Sequence, residues 1–239
     1  MNENQIKKPI GIIGAMDEEV SLIKESASAR LAETVAGMEF FTGELGDTPV
    51  VIVKCGIGKV NAGICTQILI SRFQPAAIIN TGVAGSLNAD IDIGDIVVST
   101  EAVQHDFNVS EIGVARGEIP PTGRVAFPAD SSLCRMATEA VHQVSPEIHV
   151  FEGRICSGDQ FISSRSQKDA IIQAFGGLCC EMEGAAIAQV CYLNETPFVI
   201  LRAISDKADE SSEVSFAEFC ETSAHRCAAI VKTMISSME

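Results

Sequence analysis

The chain has 239 residues, with 17 Lys and Arg against 32 Asp and Glu, for a formal net charge of −15. With no basic run anywhere, this balance excludes the clustered phosphate contacts that nucleic acids and anionic membrane surfaces demand. Apolar residues make up 46% and charged residues 21%, so the chain can bury a sizeable core, and no apolar stretch approaches the roughly 20 residues of a membrane span.

In chain order, Pro9-Ile10-Gly11-Ile12-Ile13-Gly14 reads as a buried first strand. Residues 16–28 read as an amphipathic helix. Residues 39–45 and 49–55 flank Gly46-Asp47 and predict a hairpin. Gly56-Ile57-Gly58 then breaks the chain ahead of a helix over 59–72. Ala76-Ala77-Ile78-Ile79-Asn80 predicts a strand stopped by Thr81-Gly82-Val83-Ala84-Gly85, and 95–100 a further strand. Residues 105–128, with Gly and Pro and weak periodicity, read as a long loop. A helix follows over 130–144, a strand over 149–156 and a helix over 166–175. The segment 183–192 is apolar all round and reads as a buried helix; 197–204 is a strand and 216–238 a long closing helix. Strands that are apolar on both faces alternate with helices, with no linker or repeat. The expected class is therefore α/β, one domain over 1–239 with a polar, flexible end at 1–8.

The nine Cys are odd in number and scattered, and no Cys-x-x-Cys occurs; the four His lack H-E-x-x-H spacing. They read as reduced core thiols and ordinary histidines, so neither a metal nor a cofactor is expected. The polar residues 1–9 lack the apolar core of a signal peptide, and the expected location is cytoplasmic.

In α/β sheets, ligands bind beyond the carboxyl ends of the strands. There the chain places Gly14-Ala15-Met16-Asp17-Glu18-Glu19, a Gly turn feeding a helix. Three acids at that point repel a phosphate. For Asp17 and Glu18 the plain reading is complementation of the helix dipole. Gly56-Ile57-Gly58-Lys59 lacks phosphate-loop spacing because Val60 follows the Lys. Glu181-Met182-Glu183-Gly184 opens an apolar helix, so Glu183 is expected to be part-buried and in need of hydroxyl or N–H partners, which a ribose diol would supply. A solvated turn is the plain alternative. In Arg202-Ala203-Ile204-Ser205-Asp206, an apolar strand runs into an Asp suited to general-acid work, or to an ordinary cap or turn.

These segments, with Ser157-Gly158-Asp159-Gln160-Phe161-Ile162, occur in an order that spans residues 10 to about 220 and resembles the 5′-methylthioadenosine/S-adenosylhomocysteine nucleosidases of the purine nucleoside phosphorylase/hydrolase superfamily. The resemblance implies a three-layer α/β/α sandwich with a central mixed, partly barrel-like sheet, assembled as a homodimer. It implies hydrolysis of the N-glycosidic bond of adenine nucleosides carrying a 5′-thio group. Carried over residue by residue, Glu19 is the base that activates water and Asp206 the acid that protonates adenine N7. Glu183 is the ribose ligand, with Met182 against the sugar. Phe161 stacks on adenine, the Ile162 backbone meets its edge, Gly85 lies in the base-binding turn, and Ser205 is a further substrate-binding residue. Arg202 positions the carboxylates, while Met16, Ile57 and Phe216 wall the pocket. Ile112 and Pro120 reach the partner subunit's 5′-thio pocket. One residue departs from the pattern: Val83 stands where many members carry a Ser, which leaves water positioning to Glu19, Arg202 and backbone groups.

The rival readings are a nucleoside phosphorylase, a sister hydrolase acting on another nucleoside such as futalosine, and a non-catalytic nucleoside-binding protein. A phosphorylase needs cations where this chain offers acids. A binding protein could dispense with Glu19 or Asp206, and both are present.

Overall fold

The computed structural model describes residues 7–120 and 122–238, so the expectation of a flexible end concerns residues that lie mostly outside the described ones. The elements are β1 (Ile10–Gly14), α1 (Asp17–Ser26), β2 (Ser28–Val35), β3 (Met38–Leu45), β4 (Thr48–Lys54), α2 (Lys59–Phe73), β5 (Ala77–Ser86), β6 (Ile96–Gln104), β7 (Ala126–Pro128), α3 (Ser131–Val144), β8 (Val150–Ser157), α4 (Arg165–Phe175), β9 (Cys179–Glu181), α5 (Gly184–Leu193), β10 (Phe198–Asp206) and α6 (Ser212–Ser236).

The strands form one mixed sheet in the order β10-β6-β8-β9-β5-β1-β4-β3-β2, with β7 added at β6. An additional β10–β5 pairing closes β10-β6-β8-β9-β5 into a ring, so one half of the sheet is a small barrel and the other an open, twisted wing. Alternation along the strands feeds two cores. Ile13, Val51, Val53 and Ile200 pack under α2 and α5. Ile12, Val50, Ile52, Val199 and Leu201 pack under α1, α3 and α6. Neighbouring residues on one strand thus face opposite helix layers, which is why the strands read as unbroken apolar runs. A smaller cluster holds α4 through Ile171 and Phe175 against Val103, Cys156 and Cys180.

Most elements lie where the sequence places them; the differences have identifiable causes. β5 does not stop at Asn80 but runs on to Ser86, buried throughout. Its glycines do not break it, because carboxylates from elsewhere fill the space beside them. β10 likewise continues to Asp206, and α6 starts at Ser212. β2 escapes sequence reading because it is a largely exposed edge strand, paired among the described residues only with β3. The three-residue β7 and β9 are too short for a periodic signal. The loop after β6 contains a 3₁₀ turn at Ser110–Ile112 as well as β7.

Candidate active site

A cleft opens at the carboxyl ends of β1, β5 and β10, the place the topology favours. Met16, Glu19, Ile57, Gly85, Phe161, Met182, Glu183, Ser205, Asp206 and Phe216, ten residues expected from sequence, all line it. Ile162 lines an adjoining recess with Phe161 and Gln160. Arg202 does not line the cleft but lies beneath it, 2% exposed. Ile112 is 77% exposed and Pro120 is exposed, both on the loop after β6 and outside this chain's own cleft.

Glu19 is the third residue of α1, and its side chain folds back over the start of the helix. Oε2 accepts the Ala15 and Met16 N–H groups at 2.6 and 3.1 Å, and Oε1 accepts the Val83 N–H at 3.1 Å. These donors are otherwise orphaned at a helix start and in a strand that faces a cleft. Burial raises the Glu19 pKa against the opposing pull of Arg202 and the three N–H donors. The fit requires Gly82, since a Cβ there would overlap Glu19 Oε1. The contact from residue 83 is made by its backbone, so Val83 supplies it as a Ser would. Asp17 and Glu18 are exposed, and Asp17 pairs with Lys54 at 2.7 Å, in keeping with their plain reading.

Between β9 and α5, Glu181 and Glu183 diverge. Glu181 Oε2 accepts the Glu183 and Gly184 N–H groups at 3.0 and 2.8 Å and the Arg202 Nη2 at 2.6 Å, while Ser157 donates its hydroxyl to Oε1. Burial opposes ionisation of Glu181, but Arg202 and these donors outweigh it and hold the carboxyl below its ordinary value. Among the described residues, Glu183 accepts only the Gly58 N–H, at 2.7 Å through Oε1. Burial first, then the neighbouring Glu181 charge, push it up to about 8. Arg202 also reaches Asn80 Oδ1 at 2.5 Å, and Asn80 donates to the Ile13 carbonyl at 2.9 Å. One guanidinium thus ties β1, β5, β9 and β10 together under the acids.

At the other end, β10 carries a bulge: Ile204 pairs with Ala84 and Asp206 with Gly85, leaving Ser205 unopposed. Consecutive residues of a regular strand face opposite sides; the bulge turns Ser205 and Asp206 both toward the cleft. Asp206 Oδ1 accepts the Ala208 N–H at 2.8 Å and Oδ2 meets the Ser205 hydroxyl at 3.0 Å. Gly85 permits this approach, because a Cβ there would sit 2.7 Å from Asp206 Oδ1. Phe161, 44% exposed, packs edge-on against Phe216 with ring centroids 5.7 Å apart.

Sequence reading gave no role to Asn80, Ser157, Glu181 or Cys180, the last of which lines both the cleft and the recess. Asn80 carried a usable signal, since an amide ending an apolar run must find buried partners. No group of His, Cys, Asp and Glu among the described residues has the geometry to hold a metal ion.

A closed five-stranded ring, an open wing and an acid-lined cleft at the strand ends define the class: the chain belongs to the phosphorylase superfamily, whose family model matches residues 9–236. A curated relative from Oceanobacillus iheyensis, named 5′-methylthioadenosine/S-adenosylhomocysteine nucleosidase, is 42% identical over 96% of this chain and 99% of its own length. A crystal structure of a nucleosidase of that name from Colwellia psychrerythraea, in complex with adenine, is 39% identical with a TM-score of 0.92 and covers 97% of this chain and 96% of that one. A futalosine hydrolase of Helicobacter pylori is also similar, at 34% identity and a TM-score of 0.91 over 96% of this chain and 98% of that one. Within the superfamily, the chain belongs with the 5′-methylthioadenosine/S-adenosylhomocysteine nucleosidases.

Proposed function

We propose that the protein hydrolyses the N-glycosidic bond of 5′-methylthioadenosine and S-adenosylhomocysteine, and of 5′-deoxyadenosine, to adenine and the 5-substituted ribose. The observation that carries this reading is the lining of the cleft. Glu19, Glu181, Glu183 and Asp206 all face it, and its described lining residues include no Lys, Arg or His. A phosphate dianion finds no cation there, whereas water suits an acid-lined site. The curated Oceanobacillus relative, 42% identical over 96% of the chain and named for 5′-methylthioadenosine and S-adenosylhomocysteine, supports the adenosine-type substrate.

In this reading Phe161 stacks on the adenine, the Ile162 backbone meets its edge, and Gly85 lets the base approach β5. Met182 packs on the sugar, and Glu183, with Oε2 left over from its contact to Gly58, accepts the ribose hydroxyls. Asp206 donates a proton to adenine N7 as the C1′–N9 bond breaks. The sugar passes through an oxocarbenium-like state, as in glycoside hydrolysis. Glu19 takes a proton from the water that forms the new C1′–O bond. Met16, Ile57 and Phe216 exclude bulk solvent, which strengthens both interactions. Arg202 acts from below, holding Glu181 and moderating the charge at Glu19 and Glu183.

We infer that the active form is a homodimer in the cytoplasm, working in methionine salvage and nucleoside catabolism. Val60 and Ile64 stand exposed four residues apart on α2, with exposed Ile57 in the turn before it and exposed Leu193 on the adjacent α5. Such an apolar stripe fits a second copy of the chain, with Ile112 and Pro120 reaching the partner's 5′ pocket. The nine free cysteines accord with a reducing compartment, and among the described residues no helix is long and apolar enough to cross a membrane. The test of the reaction is incubation with 5′-methylthioadenosine in phosphate-free buffer. Adenine and free 5-methylthioribose are expected; a strict phosphate requirement with a sugar 1-phosphate product would overturn it.

A further inference from the structure

Lys59 follows a turn that looks superficially like a phosphate loop, yet its ammonium group is engaged within the protein. Nζ lies 2.5 Å from Asp106 Oδ1 and donates to Gln104 Oε1 at 3.0 Å. The other Asp106 oxygen accepts the Asp159 N–H at 2.9 Å, and Asp159 Oδ1 accepts the Lys59 N–H at 2.7 Å. These bonds form a closed ring from the Lys59 side chain through Asp106 and Asp159 back to the Lys59 backbone. Gln104 extends it by donating to Gln189 of α5 at 2.6 Å.

The ring joins two segments that both line the cleft. The turn 56–59 carries Ile57 and the Gly58 N–H that holds Glu183. The segment after β8 carries Phe161 and Ile162. Two glycines let them meet. A Cβ on Gly58 would lie 3.1 Å from Asp159 Oδ1, and one on Gly158 would overlap the His105 ring. The Lys59 and Asp106 side chains are 15% and 19% exposed, so the pair is shielded from the solvent that weakens surface ion pairs.

We propose that Lys59 and Asp106 are positioning residues that fix the spacing between the ribose side and the base side of the cleft, and so make the site select an intact nucleoside over free adenine. The proposal rests on the hydrolase reading for which side takes which part of the substrate. A ligand that spans both sides gains its second set of contacts only when the spacing is right. Adenine uses the base side alone and is indifferent to it. Neither residue touches substrate, and neither moves a proton.

The experiment measures kcat and KM for 5′-methylthioadenosine, the Kd of adenine, and the thermal midpoint for Lys59→Met, Asp106→Asn, the double variant and Lys59→Arg. Loss of a charge-assisted hydrogen bond predicts a KM for the nucleoside raised about tenfold or more in each single variant, with the adenine Kd within about threefold of the parent. Because the two residues act through one link, the double variant is expected within about threefold of the worse single one. Lys59→Arg keeps the pair and is expected to restore KM. Equal weakening of nucleoside and adenine, or an unchanged KM in a folded variant, would overturn the proposal. If Asp106→Asn does not fold, Lys59→Met against Lys59→Arg makes the same comparison. Failure of the hydrolase reading is distinct, because the parent protein itself would then release no adenine.

Discussion

The two ends of the cleft use the same functional group in different surroundings. On the ribose side, both Glu19 oxygens face backbone N–H donors and Glu181 is bound by N–H groups, a hydroxyl and Arg202. N–H groups can only donate, so they favour carboxylates that accept. On the base side, Asp206 Oδ2 meets the Ser205 hydroxyl, which donates to an ionised carboxylate and accepts from a protonated one. That end can hold or release a proton without leaving a buried group unpaired. Backbone N–H groups on both Glu19 oxygens, against a backbone N–H on one Asp206 oxygen and a rotatable hydroxyl on the other, thus suit a fixed base and a proton donor.

The largest effect is expected at the base. Glu19→Gln keeps the shape but removes the acceptor of the water proton, and turnover is expected to fall about 10²–10⁴-fold with nucleoside binding within a few fold. Rate and binding measured separately check this. Asp206→Asn is next, with a turnover loss of at least about a hundredfold. The parent enzyme is also expected to reject 6-oxo nucleosides, because a carbonyl in place of the exocyclic amine sets acceptor against acceptor. Inosine-type and adenosine-type substrates compared side by side test that point. Glu183→Gln is expected to weaken nucleoside binding about tenfold above about pH 8, where the parent carboxyl is ionised, through loss of a charged acceptor for the ribose hydroxyls.

The smallest effect concerns stability. Burial and the Glu181 charge raise Glu183 from 4.5 to about 8. A carboxyl raised in the folded state contributes stability that is complete below its unfolded value and is lost as pH climbs through the folded one. Glu183→Gln removes that dependence. The thermal midpoint of the variant relative to the parent should therefore rise between about pH 4.5 and pH 8 and then level off. A difference constant with pH would show that the Glu183 carboxyl is not raised.

The layered fold was readable because strands buried on both faces, such as β1 and β4, are continuous apolar runs. Asp206 and Glu183 were readable because they stand at the end of an apolar strand and the start of an apolar helix, whereas Glu19 was singled out only through the family resemblance. The reach of β5 was not, since Gly82 and Gly85 look like breakers until Glu19 and Asp206 are seen occupying the space beside them. The bulge at Ser205 leaves no local mark, because it depends on the register of β10 against β5. The partnership of Arg202 with Glu181 and Asn80 is equally silent, joining residues 21 and 122 positions apart. Lys59 was visible but misleading, because its partner Asp106 lies 47 positions away in what reads as featureless loop.

The division of labour between the two ends can be tested by removing the need for a proton on the leaving group. From a 4-nitrophenyl 5-methylthioriboside, 4-nitrophenolate departs without protonation as its bond to C1′ breaks, but the sugar must still be attacked by water. With this substrate, the rate deficit of Asp206→Asn is expected to shrink to within about tenfold of the parent, while that of Glu19→Gln remains at about a hundredfold or more. Equal deficits in the two variants, or rescue of Glu19→Gln instead, would contradict the assignment of acid and base.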